Sequence, residues 1–171
     1  MRLTNLTHTT SKFAIMLPLV AMIAIAGCAK KQKLPDNANQ LGIGANSAKP
    51  GTSQDFTVNV GDRVFFTTDS STLTAEARQI LDKQSVWLNK YNSYGITIEG
   101  HADERGTREY NLALGARRAA ATRDYLSARG VGRNRMKTIS FGKERPVAVC
   151  DNISCWSQNR RAVTVLGGGN S

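Results

Sequence analysis

Histidine and cysteine are scarce in this 171-residue chain. There are two histidines, His8 and His101, and three cysteines, Cys28, Cys150 and Cys155. A zinc site takes three or four ligands brought close together, and no stretch gathers them: His101, Asp103 and Glu104 share one segment with no second histidine nearby. No serine sits in a Gly-x-Ser-x-Gly elbow of the hydrolase kind. No catalytic residue, metal or cofactor is therefore expected. Long apolar runs are also missing. The longest, Phe13–Ala26, has 14 residues, against the roughly 20 of a membrane-spanning helix. Acids are outnumbered, 13 against 23 lysines and arginines, for a net charge of +10. Such a balance suits an anionic partner. Aromatics make up only 6% and are not interleaved with the arginines, which counts against a surface that stacks nucleic-acid bases.

The N-terminus gives the chain an address. Arg2 and Lys12 precede the apolar run with no acid among them, the pattern of an export signal over 1–27. The run closes on Ile25-Ala26-Gly27-Cys28, which resembles the lipobox of bacterial lipoproteins, where the cysteine is acylated and becomes the new N-terminus. Ala29 resembles the neutral residue of lipoproteins sorted to the outer membrane. The expectation is a lipid anchor on Cys28 at the periplasmic face of the outer membrane, stable because more than one acyl chain holds it. Cleavage removes Arg2 and Lys12, leaves a charge of 10 − 2 = +8, and leaves His101 as the sole histidine. An exported chain also removes nucleic acid as a partner. In an oxidising compartment Cys150 and Cys155, spaced as C-x4-C, are expected to pair.

Residues 28–55 are polar, carry two prolines and hold almost no bulky apolar side chains, so they read as the acylated cysteine and a flexible tether. Residues 56–166 carry the periodicities of a folded domain, and 167–171 read as a loose tail. "FTVNVGDRVFF" offers short alternating strand-like stretches broken at Gly61-Asp62. A helix opens at Leu73-Thr74, with an apolar stripe of Ala77, Ile80, Leu81, Leu88 and Tyr91. "ITIEGHAD" alternates as a strand from Ile96. A second helix runs from about Arg108 to Arg129, with Thr107 as N-cap and Gly130 after its end. "MKTISF" and "AVTVL" are further strands, separated by the cysteine loop and about one helical turn near Ser157. The expected fold class is α+β, in the order β-α-β-α-β-β, a two-layer sandwich with a mixed sheet and two main helices on one face.

The stretch Thr97–Leu126 concentrates charge. Asn111, Leu114 and Arg118 stand at i, i+3 and i+7, one helix face. Asp103 ends the preceding strand and Thr107 opens the helix. A carboxylate, a guanidinium, an amide and free helix-start N–H groups thus converge, a set that suits a zwitterion. Arg117, Arg123 and Arg129 read as solvated. "GHADERGTREYNLALGARRAAA" resembles the peptidoglycan-binding signature of the OmpA-like domain family, matched from Gly100 to Ala119. Thr122 stands where that family usually has Val. "SFGKERPV" and "SQNRRAV" match as well, and the resemblance covers about 63–166. It implies an OmpA-like two-layer fold that binds the meso-diaminopimelate stem peptide of peptidoglycan without catalysis. Asp103 would hold the ligand's ammonium and Arg118 its carboxylate, in a pocket lined by Glu104, Thr107, Asn111 and Leu114. The resemblance also implies a second partner, the periplasmic propeller protein TolB, with other Tol proteins. The alternative is an OmpA-like anchoring lipoprotein of another envelope machine, in secretion or motility. Two features depart from the family: Thr67 replaces an Asp of its first strand, while Asp69 is kept, and "CDNISC" is an added loop.

Overall fold

In the computed structural model the described residues are 48–167; the expected signal segment, Cys28, most of the tether and the tail from 168 lie outside them. The elements are a short helix α1 (Ser53–Asp55) that widens into a helical turn at Phe56–Val60, then β1 (Arg63–Phe65), α2 (Ala75–Lys90), β2 (Gly95–His101), α3 (Arg108–Ala128), a 3-10 turn at Arg133–Arg135, β3 (Met136–Gly142), α4 (Ile153–Asn159) and β4 (Arg161–Gly167). The strands lie in the order β1-β4-β2-β3. β2 and β3 run parallel, joined through α3, and β4 runs antiparallel to both β1 and β2. This is the expected α+β sandwich with a mixed sheet.

Both main helices start where a threonine can cap them. The Thr74 hydroxyl accepts from the Ala77 N–H and the Thr107 hydroxyl from the Tyr110 N–H, which satisfies donors that a helix start leaves orphaned. α3 stops at Arg129, and Gly130 follows at φ +90°, a conformation that costs glycine little. Of the stripe on α2, Ala77, Leu81 and Leu88 are buried, and Ile80 and Tyr91 pack at its margin. They meet Val64, Ile96, Ile98 and Ala162 from the sheet and Ala119 and Leu126 from α3 in one core. Each large side chain buried there contributes roughly 1.5–3 kcal/mol.

The sequence reading needs four corrections. Phe56–Val60 is a helical turn, not a strand. Only Phe56 of that stretch is buried, and Val58 is 64% exposed. The Asp55 carboxylate explains the turn: it accepts from Gly51 N–H, Asn59 Nδ2 and Trp87 Nε1, each at 2.8 Å, while Phe56 packs on the Trp87 ring at 5.0 Å. The same contacts carry the packed domain into the stretch 28–55 read as tether, because the described fold begins at Ala48, itself buried. α4 is a full helix between β3 and β4, so the order is β-α-β-α-β-α-β. Gly167 belongs to β4 rather than to the tail.

α3 lies unusually close to the sheet. A Cβ on Gly100 of β2 would overlap the Gly115 carbonyl of α3, and one on Gly115 would overlap the Ser140 hydroxyl and the Gly100 carbonyl. The Ser140 hydroxyl in turn donates to the Leu112 carbonyl at 2.7 Å. Two glycines facing each other let the backbones touch, and this contact fixes the start of α3 against the end of β2.

Candidate functional site

At that junction lies a pocket of about 230 Å³, lined by Thr68, Asp69, Asp103, Arg105, Gly106, Tyr110, Asn111, Leu114 and Arg118. Four of the six expected ligand residues are in this lining: Asp103, Asn111, Leu114 and Arg118. Glu104 and Thr107 are not among its walls. Glu104 is on the exposed side of the loop, where it accepts from Trp156 Nε1 at 2.8 Å, and Thr107 is the helix cap already described. Gly106, Tyr110, Thr68 and Arg105 went unnoticed in the sequence.

Arg118 is fully buried. Its Nε donates to the Ser70 carbonyl at 2.8 Å, Nη1 to the His101 carbonyl at 2.8 Å and Nη2 to the Thr67 carbonyl at 3.1 Å. The guanidinium therefore ties the 67–70 loop to the end of β2. Thr67, standing where the family has an acid, serves here through its backbone. Three of five N–H groups are used, which leaves one on each Nη uncommitted among the described residues. Burial pushes the Arg118 pKa down to about 10; Asp103 opposes this and Arg160 reinforces it. The group stays charged at neutral pH.

Asp103 is buried at the end of β2. Burial acts to raise its pKa, but hydrogen bonds from Arg105 and Arg160 outweigh it and hold the carboxyl below its ordinary value. Arg160 Nη1 reaches Oδ2 at 3.2 Å and its Nε donates to the Phe66 carbonyl at 3.1 Å. Arg160 comes from the "SQNRRAV" segment, at the far end of the chain. On the opposite wall, Tyr110 OH donates to the Asp69 carboxylate, and Asp69 holds φ +54°. Asn111 Nδ2 donates to the Arg105 carbonyl at 2.7 Å and pins the loop between β2 and α3. Three cations, Arg105, Arg118 and Arg160, against two carboxylates, Asp69 and Asp103, give the site a net charge of +1, apt for a ligand that carries acid groups beside an amine.

Arg117 and Arg129 are exposed and Arg123 is half-buried and paired with Asp124, a solvated set. Cys150 and Cys155 form a disulfide with Cα atoms 5.6 Å apart, within the usual range. His101 is not in the pocket lining; its ring is tilted against Phe141, centroids 5.5 Å apart, with neither ring nitrogen hydrogen-bonded. Among the described residues no cluster of three or more His, Cys, Asp or Glu side chains could hold a metal, and no helix is long and apolar enough to cross a membrane.

The chain is similar to known proteins of one family. The model of the OmpA family matches residues 65–160. The peptidoglycan-associated lipoprotein of Rhizobium meliloti (strain 1021) is 69% identical over 164 residues, which span 96% of this chain and 93% of that protein. The peptidoglycan-associated lipoprotein of Pseudomonas putida is 40% identical over 159 residues, spanning 88% and 93%. The crystal structure of the peptidoglycan-associated lipoprotein from Burkholderia pseudomallei superposes with a TM-score of 0.64 at 38% identity, over 70% of this chain and all of that one.

Proposed function

The chain belongs to the OmpA family, and from that premise we propose that it is a lipid-anchored envelope protein that grips peptidoglycan without turning it over. The observation that carries this reading is the pocket at the junction of β2 and α3, where Asp103 and Arg118 face one cavity. Its ligand is the diaminopimelate side chain of a stem peptide, which presents an ammonium and a carboxylate on one carbon. The ammonium goes to Asp103, and the carboxylate to the two N–H groups of Arg118 that no backbone carbonyl uses. Leu114 packs the aliphatic stem, and Asn111 acts by holding the loop. Glu104 and Thr107 support the rim from outside the pocket.

The proposed plan of the whole chain follows the sequence: a signal over 1–27, an acyl anchor on Cys28 in the outer membrane, a tether that ends by residue 47, and a periplasmic binding domain. TolB, with other Tol proteins, is the proposed protein partner, and envelope integrity during cell division the proposed setting. The test is co-sedimentation of the acyl-free protein with sacculi. Peptidoglycan carrying diaminopimelate should bind, and peptidoglycan carrying Lys, which lacks the second carboxylate, should bind much more weakly. Asp103→Ala should lower affinity at least about 30-fold, since removing one member of a desolvated charge pair costs ~2–5 kcal/mol. Equal binding of both polymers would sink the assignment of the pocket. Release of soluble fragments from the sacculi would sink the claim that binding is without turnover.

A further inference from the structure

Asp103 already carries a full set of donors. Oδ1 accepts from the Arg105 backbone N–H and from Arg105 Nε, both at 3.2 Å. Oδ2 accepts from Arg105 Nη2 at 2.6 Å and from Arg160 Nη1 at 3.2 Å. A carboxylate offers about four lone-pair sites, so four donors fill it. A ligand ammonium is a fifth donor and needs one of the four to leave.

The four differ in how freely they can do so. The Arg105 backbone N–H is part of the turn that Asn111 pins. Arg160 has a side chain only 8% exposed and is tied to the Phe66 carbonyl as well. The Arg105 guanidinium is on a side chain 41% exposed at the pocket wall. It also keeps a second hold when the carboxylate is taken: its carbon already sits 4.3 Å from the centre of the Trp156 ring, an attraction that needs no carboxylate. Trp156 is fixed in turn, by its bond to Glu104 and by its place directly after the disulfide-bonded Cys155.

We propose that Arg105 is an internal competitor for the ligand's ammonium, a side chain that occupies Asp103 as a stand-in cation and yields to the ligand by pivoting off the carboxylate while it keeps its place over Trp156. It sets selectivity rather than adding affinity. A weakly held amine or a metal cation does not displace a bidentate guanidinium. A ligand that also engages Arg118 gains enough to do so. This inference rests on the assignment of Asp103 to the ligand's ammonium.

Binding of a diaminopimelate-containing muropeptide, released from sacculi and purified, is measured by titration calorimetry on the acyl-free protein, with thermal unfolding as a control on folding. Arg105→Ala should tighten binding about fivefold, the worth of a half-exposed ion pair no longer broken on binding. Arg105→Lys, which keeps the charge but cannot make the planar fork, should fall between Ala and the wild type. Unchanged or weaker binding by Arg105→Ala, alongside loss of binding by Asp103→Asn, overturns the competitor role alone. Wild-type binding by folded Asp103→Asn overturns the assignment of Asp103 and the competitor role together.

Discussion

Arg118→Ala should unfold the domain more readily as well as stop it binding, and the two losses should come together. From sequence, Arg118 is free to fork a ligand carboxylate, so its removal should spare the fold. The structure instead commits three of its N–H groups to the carbonyls of Thr67, Ser70 and His101 at a position with no solvent exposure. A hydrogen bond to a charged group contributes a net ~1.5–3 kcal/mol; three at the lower figure come to ~4.5 kcal/mol. The Thr67 and Ser70 carbonyls lie on a surface loop and regain water, which returns roughly a third of that. Lost packing of the side chain, whose guanidinium lies over Phe66 at 5.2 Å, adds about 1 kcal/mol. The sum is ~4 kcal/mol. At about 4 °C per kcal/mol for a domain of this size, Tm should fall by about 15 °C. Circular dichroism melts at neutral pH give Tm, and sacculus binding is scored well below it. Arg118→Lys keeps the charge but cannot span three carbonyls, so it should recover about half of the stability and little of the binding. A drop in Tm below about 4 °C for Arg118→Ala, the equivalent of one kcal/mol, would refute the bracing role.

Other outcomes are as definite. His101 is buried, and burial first, then Arg161 and Arg145, push its pKa from 6.5 to about 4, although the Glu99 carboxylate stands 3.5 Å from Nε2. Unfolding frees an imidazole that takes up a proton below 6.5, so this contribution is whole above pH 6.5 and is lost toward pH 4, a fall of about 3 kcal/mol; His101→Leu should flatten that part of the stability–pH curve in denaturant titrations. Replacing Cys150 and Cys155 together by Ser opens a short loop worth ~2 kcal/mol in the chain-entropy model; the variant should melt several degrees lower and still bind sacculi. Gly115→Ala pushes α3 from β2 against the Gly100 carbonyl and Ser140; such overpacking should cost ~1–3 kcal/mol in chemical denaturation. Cys28→Ser should incorporate no labelled fatty acid and leave the membrane fraction.

What could be read from sequence followed the signals that are local. Thr74 and Thr107 announce helix starts because a cap acts within three residues, and Gly130 announces a stop for the same reason. The face joining Asn111, Leu114 and Arg118 follows from helix geometry, and that face does line the pocket. Partners distant along the chain were not legible. Arg160 stands 57 residues from Asp103, and only the sheet order brings the two together. From sequence Arg118 has one job, because nothing in the residues around it tells of the carbonyls of Thr67 and Ser70 that close over it. The buried face of α3 holds Asn111, Gly115, Arg118 and Thr122, so apolar periodicity is a poor guide there. Phe56–Val60 misled for the opposite reason: its alternation is local, but Asp55 bonded to Trp87, 32 residues on, decides its conformation.

The strand made last lies in the middle of the sheet. β4 separates β1 from β2, and Arg63 finds its partner in Val163, one hundred residues later. A chain delivered N-terminus first has β2 and β3 to pair but nothing to hold β1, and Arg160, which braces Asp103, also arrives at the end. Native order of the sheet thus waits on β4, since long-range pairing waits on loop closure. Among the described residues β4 is therefore the keystone of the sheet: a chain cut before Arg161 can still pair β2 with β3 but leaves β1 with no neighbour.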